Sequence, residues 1–362
     1  MMKRWNPVWM TRIAVFALAL SVFAACDDST GPDGDVDVAQ TQAAVDAVVN
    51  QFFTENQGLA SLEIFGAQIG TALPSIVPLN LALSPGEATF HGMATRLRES
   101  MGALVTRQAS GATLMAIPPE FEGKTFEFNG QTGQYEMTAR TGAPVDGVRF
   151  ILYDGISTLN EVGYLDLIDR SNFAVVPVAI DITLSVFITD VGEVLNYRIT
   201  GSASDNGGTL LVNGFLSDGT DQLDFDFTFS GSDATGADFS FTLSAGDLSM
   251  TLDVSEGVTG SGSINVLITN GSQDILFVLL VAEDGTIQPG SGIFFENTPV
   301  AVFSGNLETE DVTIINAEGE PLSQQQLLGL AEIFVGMEQA FVVMEELFAL
   351  GLGLIGLVFF FS

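Results

Sequence analysis

One cysteine, one histidine and two tryptophans serve a chain of 362 residues. With Cys26 alone, no internal disulfide can form, so the fold must stand on its core. Zinc sites want several His or Cys ligands, and a single Cys26 and a single His91 cannot supply them. A nucleophilic enzyme needs a base beside its nucleophile. His91 is the one histidine on offer, it sits at the start of a helical pattern beside Gly92, and no Gly-x-Ser-x-Gly elbow occurs. Trp5 and Trp9 both lie in the first 25 residues. The remainder therefore lacks the tryptophans of a sugar platform or of the interfacial girdle of a membrane barrel. No P-loop or dinucleotide glycine fingerprint is present, and the glycines fall in turns.

Positive charge is scarce as well. Lysine and arginine number 11 against 45 Asp and Glu, for a net charge of −34, and no cation follows Arg198. Such a surface repels nucleic acid and bare anionic headgroups. Hydrophobic residues still make up 47% of the chain, so it is no disordered acidic tail. These absences assign no catalytic residue, no cofactor and no metal site.

What is present begins at the N-terminus. Lys3, Arg4 and Arg12 precede the apolar run "IAVFALALSVFAA", which stops at Ala24 and Ala25 with Cys26 next. A charged segment and a short apolar run form a secretory leader, too short to span a bilayer as a mature helix. Residues 1–26 resemble the lipobox of bacterial lipoprotein precursors, although Phe23 stands where that pattern usually has Leu. The resemblance implies cleavage before Cys26 and acylation of its thiol. It also implies residence in the bacterial cell envelope, the outer membrane before the inner. Ordinary secretory cleavage after Ala24, with Val22 at the −3 position, is the alternative.

The stretch "DDSTGPDGDVD" (27–37) reads as a flexible tether. Its aspartates do not make an EF-hand. Counting from Asp33, the invariant Gly falls on Val38 and the terminal Glu on Ala44.

Beyond the tether, residues 38–120 are expected to be mainly helical. Val45, Val48, Val49, Phe52 and Phe53 recur at helical spacing, and a second segment runs from Leu59 to Ile69. From about residue 121 to 320 the period becomes two. Val178, Ile180, Ile182, Leu184, Val186 and Ile188 take one face of a strand. Leu223, Phe225, Phe227 and Phe229 alternate with Asp224, Asp226, Thr228 and Ser230, and Phe239, Phe241 and Leu243 continue the device. On this pattern we expect about ten to thirteen strands in an antiparallel meander. Asn270-Gly271 and Asp284-Gly285 are expected as two-residue turns, which would pair Val266 with Ile275. The strand at 275–281 is apolar on both faces. Its cover is expected from a long apolar C-terminal helix over 321–362, where Leu327, Leu330, Phe334, Met337 and Phe341 recur at threes and fours.

The expected class is α+β, mostly β. In it a large antiparallel meander sheet or half-barrel packs against N-terminal helices and the C-terminal helix. That layout is similar to the LolA/LolB-type half-barrel carriers, a likeness of architecture without a shared motif. Phe225, Phe227, Phe229, Phe239, Phe241 and Leu243 would then line either an apolar pocket or a filled core. The two functional expectations follow from that choice. One is an envelope lipoprotein, held to the membrane through Cys26, that binds a hydrophobic small molecule or lipid. The other is a non-catalytic envelope scaffold with no ligand. The pair Asp224 and Asp226 lies on one strand face at about 7 Å spacing, but a catalytic carboxyl also needs a desolvated pocket. Alternating strands would also suit a transmembrane barrel, against which the missing tryptophans weigh.

Overall fold

Alternation puts every second side chain on one side of a strand, so neighbouring strands that keep parity share one apolar face. The computed structural model describes residues 117–322 apart from 156–158, 173–176, 205, 233 and 310, together with residues 60–61 and 64–65. The described residues build one sheet. Its first strands are β1 (Lys124–Asn129), β2 (Gln134–Thr138), β3 (Gly147–Tyr153), β4 (Glu161–Asp169) and β5 (Val178–Ile188). There follow β6 (Gly192–Ser204), β7 (Gly207–Ser217), β8 (Gln222–Ser232), β9 (Gly236–Ala245) and β10 (Leu248–Glu256). The last are β11 (Gly262–Asn270), β12 (Gln273–Val281), β13 (Gly292–Phe295), β14 (Thr298–Asn306) and β15 (Asp311–Ile315).

The fifteen strands lie side by side in chain order from β15 to β3, and then come β1 and, at the far edge, β2. Every pairing is antiparallel except one. β1 runs parallel to β3, with Phe126 beside Phe150. The β1–β2 hairpin therefore sits outside β3 instead of continuing the meander. The sheet is open, because β15 and β2 lie at opposite ends of it.

These findings correct the expected class. Among the described residues the fold is all-β, not α+β, and the sheet is an open one of fifteen strands, not a half-barrel against helices. Ala60, Ser61, Ile64 and Phe65 have helical geometry. The rest of the expected N-terminal helices, and the long C-terminal helix, lie outside the described residues. The expected strand number was too low because the short strands near both ends carry no clear alternation. β2 reads Gln-Tyr-Glu-Met-Thr and β13 reads Gly-Ile-Phe-Phe.

Two turns also differ from expectation. Asn270 pairs with Gln273, which makes Gly271 and Ser272 the loop, and Val266 faces Phe277. The first loop residue carries the positive φ, at 62°, and Asn270 does not share it. This is the type II′ pattern, with glycine first, in place of the type I′ turn that Asn-Gly suggests. At Asp284-Gly285, Ala282 donates its N–H to the Thr286 carbonyl at 2.9 Å, so the loop holds three residues, not two. The type I′ geometry appears elsewhere. Glu296 (φ 46°) and Asn297 (φ 65°) form the tip between Phe295 and Thr298.

The main core is one continuous apolar layer, and a small second cluster of Phe128, Ile151 and Tyr153 lies apart from it near the β2 end. In β5, Val178, Ile180, Ile182, Leu184, Val186 and Ile188 are all buried, as the alternation requires. The layer runs on through Tyr197, Val212, Phe227, Phe241, Leu252, Val266 and Phe277 to Phe303. At the β2 end the ring of Phe65 packs edge-on against Phe150 and Tyr135, with centroids 5.1 and 5.4 Å apart. Gly214 on β7 shows how rows are fitted. It lies between Tyr197 on β6 and Phe225 on β8. With no side chain between them, those two rings meet at 5.3 Å.

Two stability predictions follow. A Cβ at Gly214 would sit 1.9 Å from the Asn196 carbonyl oxygen and 2.8 Å from the Phe225 ring. Gly214→Ala should therefore lower the unfolding free energy by about 3 kcal/mol, read from the urea midpoint. Changing Glu296 and Asn297 together to Asn and Gly puts at each left-handed position a residue that tolerates it better and should raise stability by about 1 kcal/mol in the same assay.

Candidate functional site

The strands place the six candidate side chains together on the apolar face. Phe225 faces Leu243 across the β8–β9 pair, Phe227 faces Phe241, and Phe229 faces Phe239. The rings of Phe227 and Phe239 meet diagonally at 4.7 Å in an edge-to-face contact. Such packing adds about 0.5–1.5 kcal/mol to the burial of the rings.

Exposure decides what this cluster can do. Phe241 is 2% exposed, Phe225 and Phe227 4%, Phe239 5% and Leu243 6%. Phe229 is half-buried. A water-sized void beside these rings, open or sealed, would leave their surface uncovered. Five of the six are instead covered by protein. The geometry is that of packed interior, with its least covered ring at Phe229.

The opposite face is polar over most of its extent, apart from Ile151 and Tyr153 near the β2 end and Leu276, Val278 and Leu280 on β12, and it is divided by charge. Toward the β2 end it carries arginines, each held by acids. Arg149 on β3 donates two hydrogen bonds to Asp166, directly across on β4, at 2.6 and 2.7 Å. Its guanidinium lies 3.6 Å from the centre of the Tyr164 ring, and Tyr164 stacks on Phe187 at 4.8 Å. The hydrogen bonds that Arg149 donates to Asp166 raise the Arg149 pKa, and partial burial works against the rise. Arg198 reaches Asp181 at 3.1 and 3.2 Å. Arg170 reaches Asp146 at 2.7 Å, and Arg140 reaches Glu161 at 2.6 Å and Glu127 at 3.3 Å. Bidentate geometry and a stacked ring make the Arg149 assembly the strongest of these. Alternation alone did not single it out, because it needs the β3–β4 register to bring Arg149 and Asp166 together.

From β7 onward the same face has no lysine or arginine. Across β8 to β10 it is a grid of hydroxyls, amides and carboxylates, and on β11 and β12 it turns apolar at Leu267, Leu276, Val278 and Leu280. One row is Asn213, Asp226, Thr242 and Thr251, and another is Thr228, Ser240, Asp253 and Asn265. Ser240 donates to Asp253 at 2.6 Å and Thr269 to Asp274 at 2.7 Å.

The paired carboxylates of β8 belong to this grid. Asp224 is exposed and accepts a hydrogen bond from Gln222 at 2.6 Å. Desolvation raises the Asp226 pKa, and a hydrogen bond with Thr228 opposes it. Neither carboxyl sits in a closed pocket, so the pair lacks the setting that a general acid requires. Among the described residues, no three His, Cys, Asp or Glu side chains converge on a metal position. Cys26, His91 and the tether aspartates lie outside the described residues.

The packed cluster predicts its own test. If Phe241 is interior, Phe241→Ala should cost about 3–5 kcal/mol of unfolding free energy in urea. A ring lining an empty cleft would cost far less. Compared with known proteins, the chain matches no family model, no curated protein and no solved structure.

Proposed function

We propose that this chain is a lipid-anchored protein of the bacterial cell envelope whose β domain is a non-catalytic scaffold with a filled core. The observation that carries the scaffold reading is the covered state of Phe225, Phe227, Phe239, Phe241 and Leu243, each at most 6% exposed. A carrier of hydrophobic molecules keeps an apolar cavity open to its cargo. The low exposure of these five side chains supports a filled interior over such a cavity. The anchor rests on the run "SVFAAC" that ends at Cys26, with an acylated cysteine as the membrane attachment. The acidic surface keeps the domain off nucleic acid and bare anionic lipid.

Two measurements test the parts separately. Growth with labelled palmitate should mark the purified chain, and Cys26→Ser should abolish both the label and the membrane association. An unlabelled wild-type chain would end the anchor reading. Native mass spectrometry and lipid extraction of the Cys26→Ser protein should find no bound lipid in stoichiometric amount. A one-to-one apolar guest would overturn the filled core and restore the carrier.

A further inference from the structure

An open sheet ends in strands whose outer backbone groups can pair with another chain. The two ends of this sheet differ in how that hazard is met. β2 and β15 are five residues each, whereas the strands from β4 to β12 have 9 to 13. On β15 the chain turns back after Ile315. Asn316 donates to the Glu320 carbonyl at 2.9 Å, and Pro321 bridges Ile315 on the side away from β14. A proline there offers no N–H to an incoming strand.

β2 has no such cap among the described residues, where its one strand neighbour is β1. Its middle residue is Glu136, exposed and directly across from Glu127 on β1. Like charges facing each other across a strand pair cost stability. Glu136 is nonetheless held in place. Its carboxylate accepts hydrogen bonds from Asn129 at 3.0 Å and from Thr132 at 2.7 Å, while Arg140 attends to Glu127. Glu136 is therefore a charge fixed at the centre of the edge strand.

We propose that Glu136 guards the β2 edge against strand addition by a second copy of this chain. The register that pairs all five residues of β2 with a second β2 in antiparallel sense is centred on Glu136. It would set Glu136 about 5 Å from the second copy's Glu136, with a Glu127 behind each. Four carboxylates would then lie in one row. The two hydrogen bonds also hold the Glu136 carboxyl below its usual pKa, so the charge persists into acid.

The test compares the purified full chain with its Glu136→Thr, Glu136→Gln and Glu136→Lys variants by analytical ultracentrifugation over a wide concentration range. The wild type and Glu136→Lys should stay monomeric. Glu136→Thr and Glu136→Gln should self-associate with a dissociation constant lowered roughly tenfold or more. Glu136→Gln keeps the shape of the side chain, which protects the test against a simple folding failure. Glu136→Thr should also resist thermal unfolding at least as well as the wild type. Monomeric Thr and Gln variants, a wild type that already associates as they do, or a Lys variant that associates would each overturn the proposal.

Discussion

Parity of backbone pairing is the constraint from which the rest of this molecule follows. A shift of one residue in any ladder would send the apolar side chains of that strand to water. From β4 to β12 only the β5–β6 pair breaks step, at a bulge where Val186 faces Leu195 and Phe187 faces Glu193, and it lies at the end of that ladder. Ile182, Ile199, Val212, Phe227, Phe241, Leu252, Val266 and Phe277 form one unbroken row through eight strands. Local fitting is subordinate to that row. Gly214 gives up its side chain so that Tyr197 and Phe225 can meet over it. Ser291, only 1% exposed, uses its hydroxyl to accept from the Leu280 N–H at 3.0 Å and to donate to the Gln288 carbonyl at 2.8 Å.

The polar face follows a second rule, set by where cations stop. Up to Arg198 each described arginine is matched with an acid across or along the sheet. After it, the described carboxylates are bonded by hydroxyls and by side-chain and backbone amides. Exposed pairs such as Arg198 with Asp181 contribute little, about 0–1 kcal/mol. The value of the arrangement lies in the field it makes. One part of the sheet is locally balanced and the other is uniformly negative, so salt acts mainly on the second by screening its self-repulsion.

The long strands were legible because each has one buried and one wet face, and the period of two survives intact over Val178–Ile188 and Leu223–Phe229. The gathering of six apolar side chains onto β8 and β9 was equally readable. Whether they lined a cleft or an interior was not, because alternation records which face is covered and not by what. The slip at Gly271-Ser272 shows a related limit. The observed register differs from the expected one by two residues, which leaves every side chain on its own face. Hydrophobic pattern therefore determines register only to within a multiple of two, and the turn geometry chooses among the rest. The parallel β1–β3 pairing left no trace in periodicity, since just three residue pairs define it. Glu296-Asn297 was missed because glutamate is a rare occupant of left-handed backbone.

The meander order also has a kinetic meaning. From β4 to β15 each strand pairs with the one made just before it, so these strand pairings among the described residues join neighbours in the chain. Low contact order favours rapid folding, which an all-β chain of this size would otherwise lack. Hairpins can nucleate at several points and grow outward by adding neighbours, as in a repeat array. A chain emerging from its N-terminus could thus lay down each new strand on a template already formed, and never wait for a distant partner.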